Sequence, residues 1–238
     1  MTVPEISIIT GFRAGIVRFF LRTTVFFIAL SRFRNPVRAF LALQAVKRKR
    51  VLIHGSGKIK KFIRAGGRYF FMDNIPGWPS PAFNGYIRGE MARLMPRAGE
   101  TAPLSTIFFA ITSRCPMRCS HCFELENLSD SEYLSGDDLM TIAGKLKESG
   151  IRHFQLSGGE PANRFVDLVA LTEFLSHGAD VWVNTSGCGL TREKADRLRK
   201  AGLTGAEISL DHWNEVEHNR FRGNERSFGW ARDAVTNC

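Results

Sequence analysis

The sequence predicts an α/β fold in its second half, preceded by a basic and mostly helical N-terminal region. From residue 105 onward, short runs rich in β-branched and aromatic residues alternate with segments of helical periodicity, which is typical of strand–helix units on a parallel sheet. The charge divides the chain in the same way. Residues 1–104 hold 18 Lys/Arg against 4 Asp/Glu, whereas residues 105–238 hold 15 against 19. We therefore expect two bodies of different character.

Length and composition narrow the class of protein. The chain has 238 residues, of which 44% are hydrophobic, and this is enough to bury a sizeable core. It has five cysteines, three of them within eight positions, and this clustering does not suit the disulfide framework of a small secreted domain. We expect a cytoplasmic protein whose thiols serve metal or redox chemistry.

Residues 1–75 are predicted to form the basic helical extension. Two helices broken at Asn35-Pro36 fit this segment, because proline restricts the residue before it. The longest apolar run, residues 25–30, is far shorter than the ~20 residues of a membrane-spanning helix. Arg18 and Arg22 also interrupt the apolar stretch that a signal peptide needs. We therefore expect that the segment does not cross a bilayer.

The basic residues of this extension leave three alternatives open. The favoured one is that the extension packs on the rest of the protein and exposes its charges to water. In the second, residues 12–64 contact an anionic membrane surface peripherally, which would place the protein at the inner membrane face. Nucleic-acid binding is the least favoured, because a basic patch alone does not specify a partner.

Residues 76–104 are assigned as a Pro-rich linker and a short helix. The stretch PGWPSP, residues 76–81, has three prolines in six positions and predicts a rigid turn. A short helix is expected over residues 83–95. The core is then assigned to residues 105–238.

The elements of the core follow in order along the chain. The run TIFFAIT (106–112) predicts a buried strand, and residues 135–150 predict a helix that begins with a capping box between Ser135 and Asp138. Three further strands alternate with two further helices, in the order IRHFQLSGG, FVDLVALTEFLSHG, DVWVNTSG, TREKADRLRKAG and AEISLDH. About four βα units result, on a parallel sheet that is open or curved into a barrel.

Three thiols lie in the loop after the first strand, in the stretch Cys115-Pro-Met-Arg-Cys119-Ser-His-Cys122. A structural zinc site would need a fourth ligand, for which His153 or Cys188 are the candidates because His121 lies too near its neighbours. A cubane iron–sulfur cluster on three thiolates instead leaves one iron open for an outside ligand. A non-catalytic metal-binding or membrane-docking module with a zinc or structural cluster site is therefore the rival to an enzyme.

These motifs resemble the radical S-adenosylmethionine (SAM) superfamily, whose signature is a Cys-x3-Cys-x2-Cys loop after the first strand of a partial (β/α)6 barrel. Gly158-Gly159-Glu160-Pro161 after the second strand and Ser209-Leu-Asp211 at the end of the fourth also match. HNRFRG, residues 218–223, is similar to the branch that contains molybdenum-cofactor cyclases, sulfatase-maturating enzymes and peptide maturases. The resemblance covers about residues 105–238. It shows about four of six units, so we expect a core truncated at its C-terminus.

The resemblance implies two cofactors and a set of residues that bind them. Cys115, Cys119 and Cys122 would hold a [4Fe–4S] cluster whose open iron is chelated by SAM. The SAM-binding residues would be His121 against the adenine, Gly158 and Gly159 along the methionine moiety, Glu160 on its ammonium, and Ser209 and Asp211 near the ribose and carboxylate. Each has a structural alternative: solvent exposure for His121, a helix cap for Glu160, and bonding of strand-end backbone for Ser209 and Asp211.

The resemblance also implies the reaction. The reduced cluster would cleave SAM to methionine and a 5′-deoxyadenosyl radical, which takes a hydrogen atom from a peptide or small-molecule substrate. A reductase or a ferredoxin- or flavodoxin-type protein would supply the electron. His212 and Arg222, after the fourth strand, are expected as substrate contacts or as solvated charges.

Overall fold

The structure, a computed structural model, describes residues 6–55, 58–101 and 104–238. The chain divides into an N-terminal unit, Met1–Thr106 with Ser149–His153, and a C-terminal unit, Ile107–Glu148 with Phe154–Cys238. The expectations for residues 56–57 of the membrane-contact range and for residues 102–103 of the linker lie outside the described residues.

The N-terminal unit combines three helices with a small antiparallel sheet. Its elements, within the described residues, are α1 (Gly11–Phe33), α2 (Pro36–His54), α3 (Pro81–Leu94), β1 (Ser7–Ile9), β2 (Phe62–Ala65) and β3 (Arg68–Phe70). The predicted break between the first two helices is confirmed. The Asn35 side chain accepts a hydrogen bond from the Arg38 amide at 3.0 Å, and Pro36 occupies the first turn of α2.

The N-terminal region is mostly helical, as predicted, but its three-stranded sheet, in the order β1-β2-β3, was not predicted. Its hairpin turn is Gly66-Gly67, where both residues have positive φ (55° and 77°), and Ala65 pairs with Arg68 across it. Two consecutive residues with positive φ form a tight turn whose twist matches that of the two strands of a hairpin. The strands themselves are only three or four residues long, which leaves little periodicity for a sequence to display.

Residues 76–101 belong to the N-terminal unit, and the short helix predicted over residues 83–95 corresponds to α3. Helix α3 begins at Pro81, with the Ser80 hydroxyl accepting a hydrogen bond from the Phe83 amide at 3.0 Å. The helix buries Phe83, Ile87 and Met91 in the same cluster as residues of α1. Burial of large apolar side chains accounts for this packing.

Helix α1 has apolar side chains on two opposite faces. Val17, Leu21 and Ile28 are buried in the core, whereas Phe12 and Phe19 are largely exposed. By length and composition the helix is apolar enough to cross a membrane, a criterion that core helices of globular proteins also satisfy. The sequence expectation relied on the longest uninterrupted apolar run, whereas this criterion averages over a longer stretch.

The C-terminal unit is a four-stranded sheet with helices, and the α/β prediction is confirmed. Neighbouring strands follow chain order, and the β4–β5 and β6–β7 pairs are parallel. The strands of this sheet are β4 (Ile107–Ala110), β5 (His153–Ser157), β6 (Asp180–Thr185) and β7 (Gly205–Ile208), and all of them except His153 belong to the C-terminal unit. Its helices are α4 (Gly136–Glu148), α5 (Phe165–Ser176), α6 (Arg192–Lys200), α7 (Glu215–Arg222) and α8 (Ser227–Asn237).

Local capping and a buried apolar layer explain these elements. The predicted capping box is present, since the Ser135 hydroxyl accepts from the Asp138 amide at 3.1 Å and the Asp138 carboxylate accepts from the Ser135 amide at 2.9 Å. Fully buried residues of β5, β6 and α5 supply the core, among them Phe154, Leu156, Leu168, Leu171, Leu175, Val181 and Val183. The arrangement leaves the carboxyl ends of parallel strands at one edge of the sheet.

Candidate cluster and cofactor site

The loops after the strands are joined by backbone hydrogen bonds at this edge. The Gly159 amide donates to the Thr112 carbonyl at 2.8 Å, and the Glu160 amide donates to the Arg114 carbonyl at 2.7 Å. The Ser209 amide donates to the Thr185 carbonyl at 3.0 Å. The cysteine loop is therefore fixed to the loop after β5, and the end of β6 is fixed to that of β7.

The cysteine loop is also held by the end of α7. The amides of Arg118 and Ser120 donate to the carbonyls of Arg222 and Phe221, each at 3.0 Å. Gly223 follows with φ 63°, and a Cβ there would lie 2.7 Å from the Arg118 carbonyl oxygen. Only glycine fits this close approach without displacing the loop. The HNRFRG stretch, residues 218–223, thus holds the cysteine loop in place, although the two segments are far apart in the sequence.

The three thiols are unpaired and differ in burial. Cys119 is buried, whereas Cys115 and Cys122 are partly exposed. The pKa of the Cys115 thiol is raised to about 11, chiefly by burial; a hydrogen bond from the Met117 backbone opposes this rise, and the Glu160 carboxylate and the other two thiols contribute to it. The three sulfur atoms therefore influence one another electrostatically. Binding of a metal centre would have to displace the Cys115 proton.

The three thiols are soft donors of the kind that bind either zinc or an iron–sulfur cluster. Across residues 6–55, 58–101 and 104–238, no three His, Cys, Asp or Glu side chains lie close enough to hold one metal ion. A tetrahedral zinc needs all its sulfur ligands about 2.3 Å from one atom. An iron–sulfur cluster distributes its thiolates over several irons, so its ligands do not have to converge on one point. Three thiols in one short loop suit that second arrangement.

Arg222 links the cysteine loop to the fourth strand end. Its Nη1 lies 3.6 Å from the Cys119 sulfur, and its Nε is 2.5 Å from the Asp211 carboxylate. The Arg222 side chain is only 11% exposed. The side chain is therefore not a solvated charge, and the expected contact with substrate stays a prediction. The Arg222 guanidinium donates a hydrogen bond to the Cys119 sulfur, and the ion pair with Asp211 holds the guanidinium in place.

Gly158 and Gly159 allow the second loop to approach the cysteine loop. Gly158 has φ 134°, and a Cβ there would lie 2.4 Å from the Thr112 carbonyl oxygen. At Gly159 the same atom would lie 2.2 Å from the Arg114 carbonyl oxygen. Any side chain at these positions would therefore separate the two loops.

Glu160 is 1% exposed, and its carboxylate accepts four hydrogen bonds. Oε1 accepts from the Thr185 hydroxyl at 2.7 Å and from the Ala162 amide at 3.1 Å. Oε2 accepts from the Ser186 amide at 2.8 Å and from its hydroxyl at 2.5 Å. These donors occupy the four lone-pair sites of a carboxylate. Glu160 thus caps the short 3₁₀ helix Pro161–Arg164 and ties it to the end of β6.

The other expected SAM-binding residues lie at the same edge. His121 is exposed and stacks on Phe221, with ring centroids 4.8 Å apart and an interplanar angle of 14°. Ser209 is half-buried at the end of β7, and Asp211 pairs with Arg222 as described. His212 stacks on Trp213 instead, at 5.5 Å.

Sequence reasoning missed a polar group on one face of the sheet. Gln155, which is 1% exposed, donates to the Glu207 carboxylate at 3.0 Å. Asn184 pairs in register with Glu207, and its side-chain oxygen is buried with no hydrogen-bond partner in the described part of the chain. A buried, unsatisfied oxygen is a candidate ligand contact. The available signal in the sequence is a polar residue between two apolar ones, as at Gln155 between Phe154 and Leu156 and at Glu207 between Ala206 and Ile208.

Comparison with known proteins gives a consistent result. Residues 109–238 match the profile of the Radical SAM superfamily. The chain is 33% identical over 155 residues to the PqqA peptide cyclase of Rhizobium meliloti (strain 1021), covering 61% of this chain and 40% of that protein. It is 29% identical over 170 residues to Molybdenum cofactor biosynthesis protein 1 of Drosophila melanogaster, covering 63% and 29% of the two chains.

A third relative is the Fe-coproporphyrin III synthase of Methanosarcina barkeri, which is 29% identical over 134 residues, 56% of this chain and 33% of that protein. The matched parts therefore represent between 29% and 40% of the length of these three relatives. The family match itself extends over more than half of this chain, from the end of β4 to the last residue. This protein belongs to the radical SAM superfamily.

Proposed function

We propose that this chain carries the cofactor-binding core of a radical SAM enzyme, in which Cys115, Cys119 and Cys122 hold a [4Fe–4S] cluster. The observation that supports this most strongly is the packing of a three-thiol loop directly on the Gly158-Gly159 turn. With three protein ligands, one iron stays open for the amino and carboxylate groups of SAM. When bound, these cofactors supply a 5′-deoxyadenosyl radical that abstracts hydrogen from the substrate.

The side chains of the site position these groups. Arg222, held by Asp211, donates to the Cys119 sulfur and so helps to orient that ligand. His121 and the ring of Phe221, which stack on each other, are the proposed surface for adenine, and Ser209 is the proposed contact for the ribose and carboxylate. Glu160 fixes the loop between β5 and β6, and its expected contact with the SAM ammonium requires displacement of one of its four present donors.

The substrate and the electron donor follow from the same proposal. The relatives' names include a peptide cyclase and a porphyrin-type synthase, so a peptide or a small molecule remains the proposed substrate class. A reductase or a ferredoxin- or flavodoxin-type protein is proposed as the one-electron donor. The proposed polar contacts for the substrate lie on the sheet face and are Gln155, Asn184 and Glu207.

We further propose a cytoplasmic protein that contacts the inner membrane surface peripherally. Residues 6–72 contain 15 Lys/Arg and no Asp/Glu, and α1 exposes Phe12, Phe19 and Phe27 on one face. Basic charge next to exposed aromatic rings suits an anionic lipid surface. A Phe19→Ser/Phe27→Ser variant should float less with anionic liposomes than the unmodified chain, whereas Val166→Ser should not. Equal flotation of all three proteins would contradict membrane contact through α1.

The cluster proposal is tested by anaerobic reconstitution with iron and sulfide. We expect about four irons and four sulfides per chain. Cys119→Ala should lose most of this iron because it removes one of three ligands, whereas Cys188→Ala, the matched control, should retain it. Full iron content in Cys119→Ala would contradict the assignment of Cys119 as a ligand. One zinc per chain without sulfide would contradict the cluster and favour a non-catalytic module with a structural zinc site.

A further inference from the structure

We propose that a cavity in the N-terminal unit binds a single-chain amphiphile with an anionic headgroup. The cavity has a volume of about 580 Å³ and lies among α1, α2, α3 and the segments that follow β3 and α3. This volume is within the range of sites that enclose small molecules. The proposal concerns a different unit from the cluster site and does not depend on the proposed reaction.

The inner part of the cavity is apolar. Leu21 and Val25 of α1 and Phe83 and Ile87 of α3 line it, and all four side chains are otherwise buried in the core. Leu43 and Val46 of α2 complete this surface. A hydrocarbon chain placed here would leave water for an apolar environment, which is favourable in proportion to the area buried.

The charged lining is strongly basic. Seven Lys/Arg side chains and one carboxylate, that of Glu90, line the cavity. Glu90 is buried, and it pairs with both Lys49 and Arg93. Its negative charge is therefore already neutralised by two cations, which leaves a positive excess around the cavity.

Three exposed cations in the lining remain available for a ligand. Arg22, Lys47 and Lys58 make no ion pair or hydrogen bond with any residue in the part of the chain that the structure describes. They extend from α1, from α2 and from the segment before β2. Basic side chains from three segments that line an apolar cavity complement an anionic head whose tail lies inside.

A free lysophospholipid and a lipid tail lifted from a bilayer share this chemistry. The experiment uses the full chain and titrates oleoyl lysophosphatidate below its micelle concentration. Monoolein, which has the same tail without charge, and glycerol 3-phosphate, which has the head without a tail, are the matched probes. We expect one saturable site for lysophosphatidate, at least tenfold weaker binding of monoolein, and no saturation with glycerol phosphate.

Two double variants test the location. Arg22→Gln/Lys47→Gln should weaken lysophosphatidate binding about tenfold, because both cations line the cavity. Arg13→Gln/Arg48→Gln removes the same charge from the same two helices at exposed positions outside the cavity, and it should change affinity less than twofold. Equal weakening by both variants would overturn the proposal, since it would indicate general attraction to a basic surface.

A third variant tests the apolar part. Leu43→Trp reduces the space in the cavity and should weaken an 18-carbon ligand while leaving an 8-carbon ligand nearly unaffected. The rim variants remain informative if this core variant fails to fold. Binding to anionic vesicles with no binding of monomeric lysophosphatidate would overturn the cavity assignment and identify a membrane surface instead. Binding of monomer and vesicle that compete with each other would support a lipid drawn from the bilayer.

Discussion

The two units organise their charged residues in opposite ways. In the C-terminal unit, Arg222 is nearly buried and spans from Asp211 to the Cys119 sulfur, so its orientation is fixed by the fold. In the N-terminal unit, Arg22 and Lys47 are exposed at the rim of an apolar cavity. The fold thus fixes the orientation of Arg222 in the C-terminal unit and leaves the rim cations of the N-terminal unit exposed. This difference agrees with the proposals that the C-terminal unit positions cofactors and that the N-terminal unit binds an anionic ligand.

Buried and exposed aromatic residues of the N-terminal unit should differ most in their effect on stability. Phe83→Ala removes a fully buried ring and should lower the free energy of unfolding by about 3–5 kcal/mol. Phe12→Ala, on the exposed face of α1, should change it by less than about 0.5 kcal/mol. Urea denaturation measures both. Similar losses would show that the exposed face of α1 is packed against something in solution.

In the C-terminal unit, Glu160 has a carboxylate that accepts four hydrogen bonds. Among polar side chains, its substitution should cause the largest loss of stability. Glu160→Gln places an amide nitrogen opposite a hydroxyl or amide donor and should cost about 2–3 kcal/mol of unfolding free energy. Glu126→Gln, at an exposed position, is the control and should be neutral. A stable Glu160→Gln protein with impaired SAM binding would show that Glu160 acts on the cofactor and contributes little to the stability of the fold.

Substitutions at two glycines test whether the end of α7 holds the cysteine loop. Gly223→Ala should destabilise the protein by about 1–2 kcal/mol, because φ is positive and the added Cβ meets the Arg118 carbonyl. Gly229→Ala, within α8, meets no atom within 4 Å and should be neutral or stabilising. Thermal denaturation with cluster absent measures the pair. Equal effects would argue that the cysteine loop is not held by the end of α7.

The smallest expected effect is a pH dependence from His218. Burial lowers the pKa of this histidine from its ordinary value of 6.5, and the Arg222 charge lowers it further. Below pH 6.5 the unfolded chain therefore binds a proton that the folded chain does not, so stability falls as the pH falls through this range. The loss should be about 1 kcal/mol or less. His218→Gln should show a shallower decline between pH 7 and pH 5, and an unchanged decline would contradict the prediction.

Much of the C-terminal unit could be predicted because its signals are local. The 3.6-residue periodicity of α4 and the Ser135–Asp138 capping box lie within a few residues of one another, and the order of strands and helices is confirmed. The sheet of the N-terminal unit could not be predicted in the same way, since its strands are very short. Gly66-Gly67 was the available signal for its hairpin.

The site also combines features that have a local signal in the sequence with features that do not. The spacing of Cys115, Cys119 and Cys122 is visible in one loop, and the glycine motif is visible in the next. The contact of Arg222 with Cys119 joins residues 103 positions apart, so no local pattern indicates it. The cavity of the N-terminal unit likewise assembles side chains from α1, α2 and α3, each of which looks like ordinary core or surface on its own.

The central claim is that three thiols leave one iron open for SAM, and electron paramagnetic resonance of the reduced, reconstituted chain tests it most directly. The account predicts the signal of a [4Fe–4S] cluster whose line shape changes on addition of SAM, because the cofactor binds the open iron. It also predicts that the signal is lost in Cys119→Ala. A cluster signal that SAM does not alter, together with no retention of SAM by the reconstituted protein, would contradict the account.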